Sequence, residues 1–171
     1  MALRTAGGLT VNISGGFTGY YGSFYSSVDQ SVAANTPIAM AAETTADADG
    51  VTMELDGSSK KTEITFANAG TYNIQFSAQY HNTGGGGSGQ TINIWFALNG
   101  TAIADSATKL VVPSNAPYVV AAWNFVTSLA AGDYIEIYWN TDNANIKLEH
   151  VPAASPVPAI PSVIITAQQI R

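Results

Sequence analysis

The sequence contains no cysteine, which excludes a disulfide framework and a zinc site built on thiolates. Histidine is also scarce, since only His81 and His150 are present. His81 borders a glycine-rich stretch, and His150 lies on an alternating face with Ile146 and Leu148. A lone histidine beside apolar neighbours is more often a packed side chain than a base or a ligand. We therefore expect neither a transition-metal site nor a cofactor.

Basic residues are few: six Lys and Arg stand against twelve Asp and Glu, for a formal net charge of -6. Nucleic-acid binding needs Lys and Arg clustered against phosphates. The six here are scattered along the chain, so we expect no contact with nucleic acid or an anionic membrane. No apolar run is long enough for a transmembrane helix. The start of the chain does not match a secretory signal, which predicts folding in the cytoplasm.

The composition favours one folded domain whose surface is partly covered by other chains. Hydrophobic residues make up 46% of the 171 residues and charged residues only 11%. Disordered chains have the opposite balance, and this length can bury a substantial core. With so few charges, we expect some apolar surface to lie against other copies or partners.

Alternation of apolar and polar residues predicts many short strands. The segment "TYNIQFSAQY" (71–80) places Tyr72, Ile74 and Phe76 on one face, and "TINIWFAL" (91–98) repeats the pattern. In "DYIEIYW" (133–139) and "YVVAAWNFV" (118–126), both faces carry rings. No segment keeps a helical period for three turns. These features predict an all-β fold, an antiparallel jelly-roll β-sandwich.

The two ends of the chain have distinct compositions. Residues 1–23 are rich in Gly, Ser and Thr, and aromatic residues recur there and just beyond. One interpretation is a flexible tail; the other is an arm whose rings Phe17, Tyr20, Tyr21 and Phe24 dock on another protein. We place the jelly-roll domain at 24–171. After a proline-rich stretch, the closing strand "SVIITAQQI" (162–170) is expected to return to the middle of a sheet.

Two stretches resemble ligand-binding loops but lack essential parts. The loop "HNTGGGGSGQ" (81–90) joins strand to strand and contains no Lys or Arg, so it predicts a hairpin joint and not a phosphate cradle. The stretch "TTADADGVTMELDG" (44–57) begins like a calcium loop with Asp47 and Asp49. It lacks a bidentate Glu at the required spacing, so we expect a solvated acidic turn.

Enzymatic activity is not expected. The sequence has no "GxSxG" nucleophile elbow and only two histidines that could act as a base. Paired carboxylates for glycoside hydrolysis remain an alternative, because the chain has twelve Asp and Glu whose spacing does not reveal pairs.

Three ordered motifs resemble the complement globular-head and tumour-necrosis-factor-like jelly rolls. They are "FANAGTYNIQFSAQY" (66–80), "INIWFALNGTAIA" (92–104) and "SLAAGDYIEIYW" (128–139), and the resemblance covers about residues 24–170. Gly70 and Gly132 stand where the chain is expected to turn tightly into a strand, and Asn99–Gly100 suits positive φ.

The resemblance implies a homotrimer, with rings on the second face of some strands buried along a threefold axis. The candidate interface residues are Trp123, Phe125, Tyr134 and Tyr138. An explanation in which Trp95, Trp123 and Tyr138 simply belong to the core stays open.

The chain departs from the secreted animal members because it has no collagen-like stalk and no disulfide. Its composition resembles that of bacteriophage virion proteins with the same jelly roll. The expectation is therefore a trimeric capsid decoration protein, made in the host cytoplasm and attached to capsid or other virion proteins through its arm. The alternative is the tip of a tail fibre that binds a receptor or host surface glycan through loops 81–89 and 112–118, with Trp or Tyr stacking on sugar.

Overall fold

The computed structural model describes residues 3–4, 10–11, 19–85, 87, 89–115 and 117–171, and the first two pairs only as strands. These residues form strands and turns, so the all-β prediction is confirmed. Within them, no helix is long and apolar enough to cross a membrane. In chain order the strands are β1 (Leu3–Arg4), β2 (Thr10–Val11), β3 (Tyr21–Ser26), β4 (Gln30–Ser31), β5 (Ile38–Ala39), β6 (Thr44–Asp49), β7 (Val51–Leu55), β8 (Lys61–Phe66), β9 (Gly70–Asn82), β10 (Gln90–Leu98), β11 (Thr101–Ala102), β12 (Thr108–Val112), β13 (Tyr118–Leu129), β14 (Tyr134–Thr141), β15 (Ile146–Leu148) and β16 (Val163–Gln169).

Two antiparallel sheets contain all the strands except the β1–β2 pair. The first sheet has the order β13–β9–β16–β3–β6, and β15 with β4 extends it alongside β9. In the second sheet the order is β7–β8–β14–β10, with β11 and β12 on the outer side of β10 and β5 beside β14. The closing strand β16 lies between β9 and β3, so its predicted return to the middle of a sheet is confirmed.

The core lies between the inward faces of the two sheets, as the alternation in β9 predicts. Its residues Tyr72, Ile74, Phe76, Ala78 and Tyr80 are all buried. Aromatic contacts join the sheets: the ring centroid of Phe76 lies 6.0 Å from that of Phe96, and that of Tyr80 lies 5.3 Å from that of Trp139. Each fully buried apolar side chain contributes about 1.5–3 kcal/mol through removal from water.

The strand β13 forms one edge of the first sheet. It pairs with β9 along its whole length, and among the described residues it has no strand partner on its other side. Its sequence, YVVAAWNFVTSL, contains no charge, no proline and no glycine. The opposite edge strand, β6, carries Asp47 and Asp49 instead. Because charges discourage pairing with a further strand, β6 is a protected edge and β13 is an open one.

The glycine loop does join strand to strand, but the predicted hairpin is wrong. β9 belongs to the first sheet and β10 to the second, so the loop crosses between sheets. Period-2 alternation reveals strands but not their partners, which are set by contacts distant in sequence. The acidic stretch also differs from the expected turn: it forms β6 and β7, which lie in different sheets and meet at Gly50.

The glycines named from the sequence act in two ways. Asn99, Gly100 and Gly132 have positive φ angles of 49°, 76° and 86°, which confirms tight turns at these positions. Gly70 is suited to its position for a different reason, because the C-terminal residues of the chain pass close to it. A Cβ atom there would lie 2.3 Å from Gln169 Nε2 and 2.8 Å from the backbone oxygen of Arg171.

Candidate interaction surfaces

The outward side of four adjacent strands of the first sheet, β13, β9, β16 and β3, is a broad surface without Asp, Glu, Lys or Arg, bordered by Asp47 and Asp49 of β6 and by Lys147 of β15. Along β3, β16, β9 and β13, the side chains of this surface alternate with buried side chains that point into the core. We call it the uncharged face, and its members are Tyr21, Ser23, Tyr25, Ile164, Thr166, Gln168, Thr71, Asn73, Gln75, Ser77, Gln79, Val120, Ala122, Asn124, Val126 and Ser128. In contrast, the outward side of the second sheet carries Glu54, Lys61, Glu63, Lys109 and Glu136.

Several apolar side chains of the uncharged face are open to solvent in the single chain. Val120 is 58% exposed, Val126 49% and Ile164 41%. Beside Ile164, a groove of about 410 Å³ is lined by Tyr25, Pro158 and Pro161. Exposed apolar side chains and a lack of charge are both features of protein interfaces.

Two of the four predicted interface residues, Trp123 and Phe125, lie on the inward side of β13. The ring of Trp123 packs edge-on against Phe76 at a centroid distance of 4.4 Å, and Phe125 stacks on Phe96 at 4.8 Å. Both are half-buried at the open edge of the core. The expected second-face position is thus corrected: Val120, Ala122 and Val126 occupy that face, because strand side chains alternate.

The other two, Tyr134 and Tyr138, lie on the outward side of the second sheet. Tyr138 stacks on Trp95 with the centroids 5.7 Å apart and donates a hydrogen bond to Glu136 Oε2 at 3.2 Å. Burial and the nearby Glu136 charge raise the pKa of Tyr138 to about 12. The structure therefore divides the four predicted residues between two sheets and does not bring them together.

Glu136 is a buried carboxylate that the sequence did not single out. It is only 4% exposed, and its Oε1 accepts a hydrogen bond from the Thr62 hydroxyl at 2.9 Å. Glu63 lies nearby and is the cross-strand partner of Glu54. Burial, followed by the charge of Glu136, raises the pKa of Glu63. Alternation along β14 places Glu136 on the side opposite Ile135 and Ile137 and gives no sign that it is buried.

The predicted attachment residues do not form a separate arm where the structure describes them. Phe17 lies outside the described residues, and Phe24 is completely buried, so its ring is not available to a partner. Tyr21 begins β3, and its hydroxyl lies 3.3 Å from Asp47 Oδ2. The Tyr20 ring packs on Gly50. The expected boundary between the arm and the jelly-roll domain, at residues 23/24, falls inside β3. Residues on both sides of this boundary pair with β16.

The two loops proposed for glycan binding adjoin each other. Asn82 Nδ2 donates hydrogen bonds to the backbone oxygens of Val112 at 3.3 Å and Pro113 at 2.9 Å. The backbone N–H of Asn115 donates to Gly84 O at 3.1 Å. Loops distant in sequence thus share one end of the molecule.

A cluster of charged residues lies at the base of these loops. Lys147 Nζ is 2.9 Å from Asp29 Oδ2 and 2.6 Å from Glu149 Oε1. His81 Nδ1 lies 2.6 Å from Glu149 Oε2 without hydrogen-bond alignment, and the His81 ring stacks on Tyr118 at 4.4 Å. His150 joins through its backbone N–H, which donates to Asp29 Oδ1.

No protein-family model and no curated protein matches the chain. The function is therefore argued from the surfaces just described. Within the described ranges, no group of three or more His, Asp or Glu side chains could hold a metal ion. A cavity of about 540 Å³ between β4, β5 and the β7–β8 turn is lined by Asp29, Glu43, Lys60 and Lys61. Asp29 is already paired with Lys147.

Proposed function

We propose that the chain is a non-enzymatic, homotrimeric virion protein that decorates a capsid, built on a jelly-roll sandwich. The sheet order supports the jelly roll. Among the ten strands of five or more residues, the chain changes sheet at six of the nine connections and stays in one sheet from β3 to β6, from β7 to β8 and from β10 to β12. Such alternation is expected when two Greek keys are wrapped into a double sheet. The virion assignment rests on composition and on the resemblance of the three motifs.

The observation that carries self-association is the uncharged face. A surface that stays in water normally carries charges, but the four strands of this face carry none on their outward side, whereas β6, β15, the second sheet and the loops do. The centre of a protein interface is depleted in charged residues. A second copy with the same uncharged surface is the partner that fits without leaving a charge buried and unpaired.

The open edge of β13 gives this association its geometry. An uncharged edge strand of this length invites pairing or aggregation unless something covers it. The face of a neighbouring copy can cover it together with the half-buried rings of Trp123 and Phe125. Edge against face joins two different surfaces of the same chain, so the contact is heterologous and forms a closed ring when the rotation between copies divides a full turn. A ring of three copies is closed in this way, and it agrees with the homotrimer implied by the resemblance to tumour-necrosis-factor-like jelly rolls.

The first experiment measures the mass of the purified full-length chain in solution, alone and with one substitution. Val120→Lys places a charge on the uncharged face and is expected to convert the trimer to a monomer. Val111→Lys is the matched control, since Val111 is similarly exposed (54%) on the edge strand β12 of the second sheet. This control should remain trimeric. A monomeric wild type, or an unchanged trimer in Val120→Lys, would refute association through this face.

Attachment is tested separately, by co-sedimentation with purified particles of the virus that encodes the chain. The comparison is between the full-length chain and one lacking residues 1–18. Truncation must stop there because the Tyr20 carbonyl accepts a hydrogen bond from the Gln169 N–H at 2.8 Å. Three linked arms increase the strength of attachment through avidity. Binding by only the full-length trimer supports an arm; equal binding by both forms places attachment on the sandwich.

A further inference from the structure

The outward side of the second sheet presents a pair of aromatic rings in a fixed arrangement. Trp95 on β10 and Tyr138 on β14 are direct cross-strand partners. Their rings are inclined by only 14° with centroids 5.7 Å apart, and both side chains are half-buried. The hydrogen bond from the Tyr138 hydroxyl to Glu136 restrains its ring. Rings held in this way can contact a ligand with little loss of side-chain entropy.

A pair of amides lies two positions further along the same strands. Asn93 and Asn140 are cross-strand partners, and Asn93 Nδ2 donates to Asn140 Oδ1 at 2.9 Å. Within the part of the chain that is described, Asn93 Oδ1 and Asn140 Nδ2 make no hydrogen bond. One acceptor and one donor are therefore available about 7 Å from the aromatic pair, the rise of two strand residues.

The charges around the rings limit which ligand fits. Lys109 is the cross-strand partner of Asn93, and Glu136 lies two residues before Tyr138 on the same face of β14. An anionic ligand on the rings would meet Glu136 and, beyond it, Glu63, and a cationic ligand at the amides would meet Lys109. A purely apolar ligand would leave the amide donor and acceptor unpaired. The best fit is an uncharged molecule with both an apolar face and hydroxyl groups.

We propose that Trp95 and Tyr138 form a binding platform for a neutral saccharide. The C–H groups of a pyranose ring pack against the exposed side of the stacked pair, and its hydroxyls bond to Asn93 Oδ1 and Asn140 Nδ2. Ligand sites commonly combine aromatic packing with a few placed polar groups. The platform lies on the opposite sheet from the uncharged face, so the trimer leaves it open and the two proposals are independent. It also differs in place from loops 81–89 and 112–118.

The test is an NMR titration of the full-length chain with maltotriose, lactose, chitotriose and mannotriose. At least one saccharide is expected to shift the indole N–H signal of Trp95. Trp139 is an internal control, because its ring is completely buried and its signal should not move. If none of the four shifts the Trp95 signal, or if the Trp139 signal moves equally, the platform is refuted.

Variants then locate the site. Trp95→Ala and Asn140→Ala should each weaken saccharide binding by at least about tenfold, the loss expected for a central contact. Asn124→Ala is the matched control: Asn124 Nδ2 bonds to Asn73 Oδ1 at 3.2 Å across two strands of the other sheet. It should leave binding unchanged. Trp95→Phe, which keeps a ring, distinguishes lost stacking from lost folding and should retain more affinity than Trp95→Ala. Equal binding by Trp95→Ala and the wild type would refute the assignment.

Discussion

Tyr80 and Trp139 meet edge-on in the core with their ring centroids 5.3 Å apart, and each carries a buried polar atom that has no hydrogen-bond partner among the described residues. A buried polar atom without a hydrogen bond lowers the stability of the fold. Burial accordingly raises the pKa of Tyr80 well above its ordinary value.

Removing the hydroxyl group is expected to affect the free energy of unfolding differently at Tyr80 and at Tyr72. Tyr80→Phe should leave the free energy of unfolding unchanged or raise it by up to about 1 kcal/mol, because an unpaired hydroxyl is removed. Tyr72→Phe should lower it by about 1 kcal/mol, because the Tyr72 hydroxyl donates to Asn68 O at 2.8 Å. Urea unfolding measures both. A larger loss in Tyr80→Phe than in Tyr72→Phe would mean that Tyr80 Oη has a bound partner, such as water.

Gly70 should not tolerate a side chain. Gly70→Ala places a Cβ atom against Gln169 and the backbone of Arg171. We expect the free energy of unfolding to fall by about 1–3 kcal/mol, the usual effect of overpacking. Gly57→Ala is the control, because no atom lies within 4 Å of the added Cβ and the backbone there has negative φ or extended geometry. Equal denaturation midpoints for the two variants would contradict the close approach.

Trp123 is predicted to act through the core of its own chain. Trp123→Ala removes the contact with Phe76, and the free energy of unfolding should fall by about 2–4 kcal/mol. Val120→Ala, on the outward side of the same strand, should change it by about 0.5 kcal/mol or less. Because association also affects apparent stability, unfolding is compared at several protein concentrations. If Trp123→Ala abolished the dependence of unfolding on protein concentration and changed nothing else, Trp123 would act only at the interface between copies.

The charged cluster should make stability sensitive to acid. Burial is the largest single influence on Asp29 and Glu149 and opposes their ionisation, but hydrogen bonds from Lys147, from the His150 backbone to Asp29 and from Tyr118 to Glu149, together with nearby positive charge, outweigh it, so both pKa values are lowered from 3.8 and 4.5. A lowered carboxyl pKa stabilises the fold above the unfolded pKa, and this stability is lost as pH falls through the folded pKa. Lys147→Met should therefore make the loss of stability below about pH 4.5 shallower.

Melting temperatures between pH 6 and pH 3 measure this effect. Lys109→Met is the matched control, because Lys109 makes no ion pair within the described ranges. Its pH profile should follow that of the wild type. If Lys147→Met also follows the wild type, the cluster contributes nothing to stability in acid.

Glu136 should control the ionisation of Tyr138. Burial is the larger cause of the raised Tyr138 pKa, and the charge of Glu136 is the next. Glu136→Gln removes the charge while keeping the shape, so the pKa of Tyr138 should fall from about 12 but stay above 10.0. Ultraviolet titration of the tyrosines measures it, with Glu54→Gln as the control. An unchanged Tyr138 pKa in Glu136→Gln would show that burial alone raises it.

Local sequence was a reliable guide wherever one face of a strand is buried. The alternation of Tyr72, Ile74 and Phe76 predicted the core face of β9, because a strand reverses its side chains at every residue. Asn99–Gly100 predicted a turn, because few residues adopt positive φ. Both signals come from neighbours in the chain and need no knowledge of the rest of the fold.

Local sequence could not identify the surfaces. Rings on both faces of β13 and β14 indicated that both faces are occupied, but not by what. Trp123 packs inside its own chain, whereas Tyr138 lies outside and joins Trp95, a residue of another strand. Phe24 looked like part of an arm because Gly, Ser and Thr surround it, yet β16 returns beside it and buries it.

The sequence by itself determined that this protein is all-β, acidic and free of cysteine, and where most of its long strands run, because alternation and composition are properties of the chain alone. Only the tertiary structure decided that β9 and β10 belong to different sheets, that the charge-free side chains lie on one face, and that Glu136 is buried. The physical reason is that strand pairing joins residues far apart in sequence. The local sequence pattern does not identify which side chains become neighbours across strands.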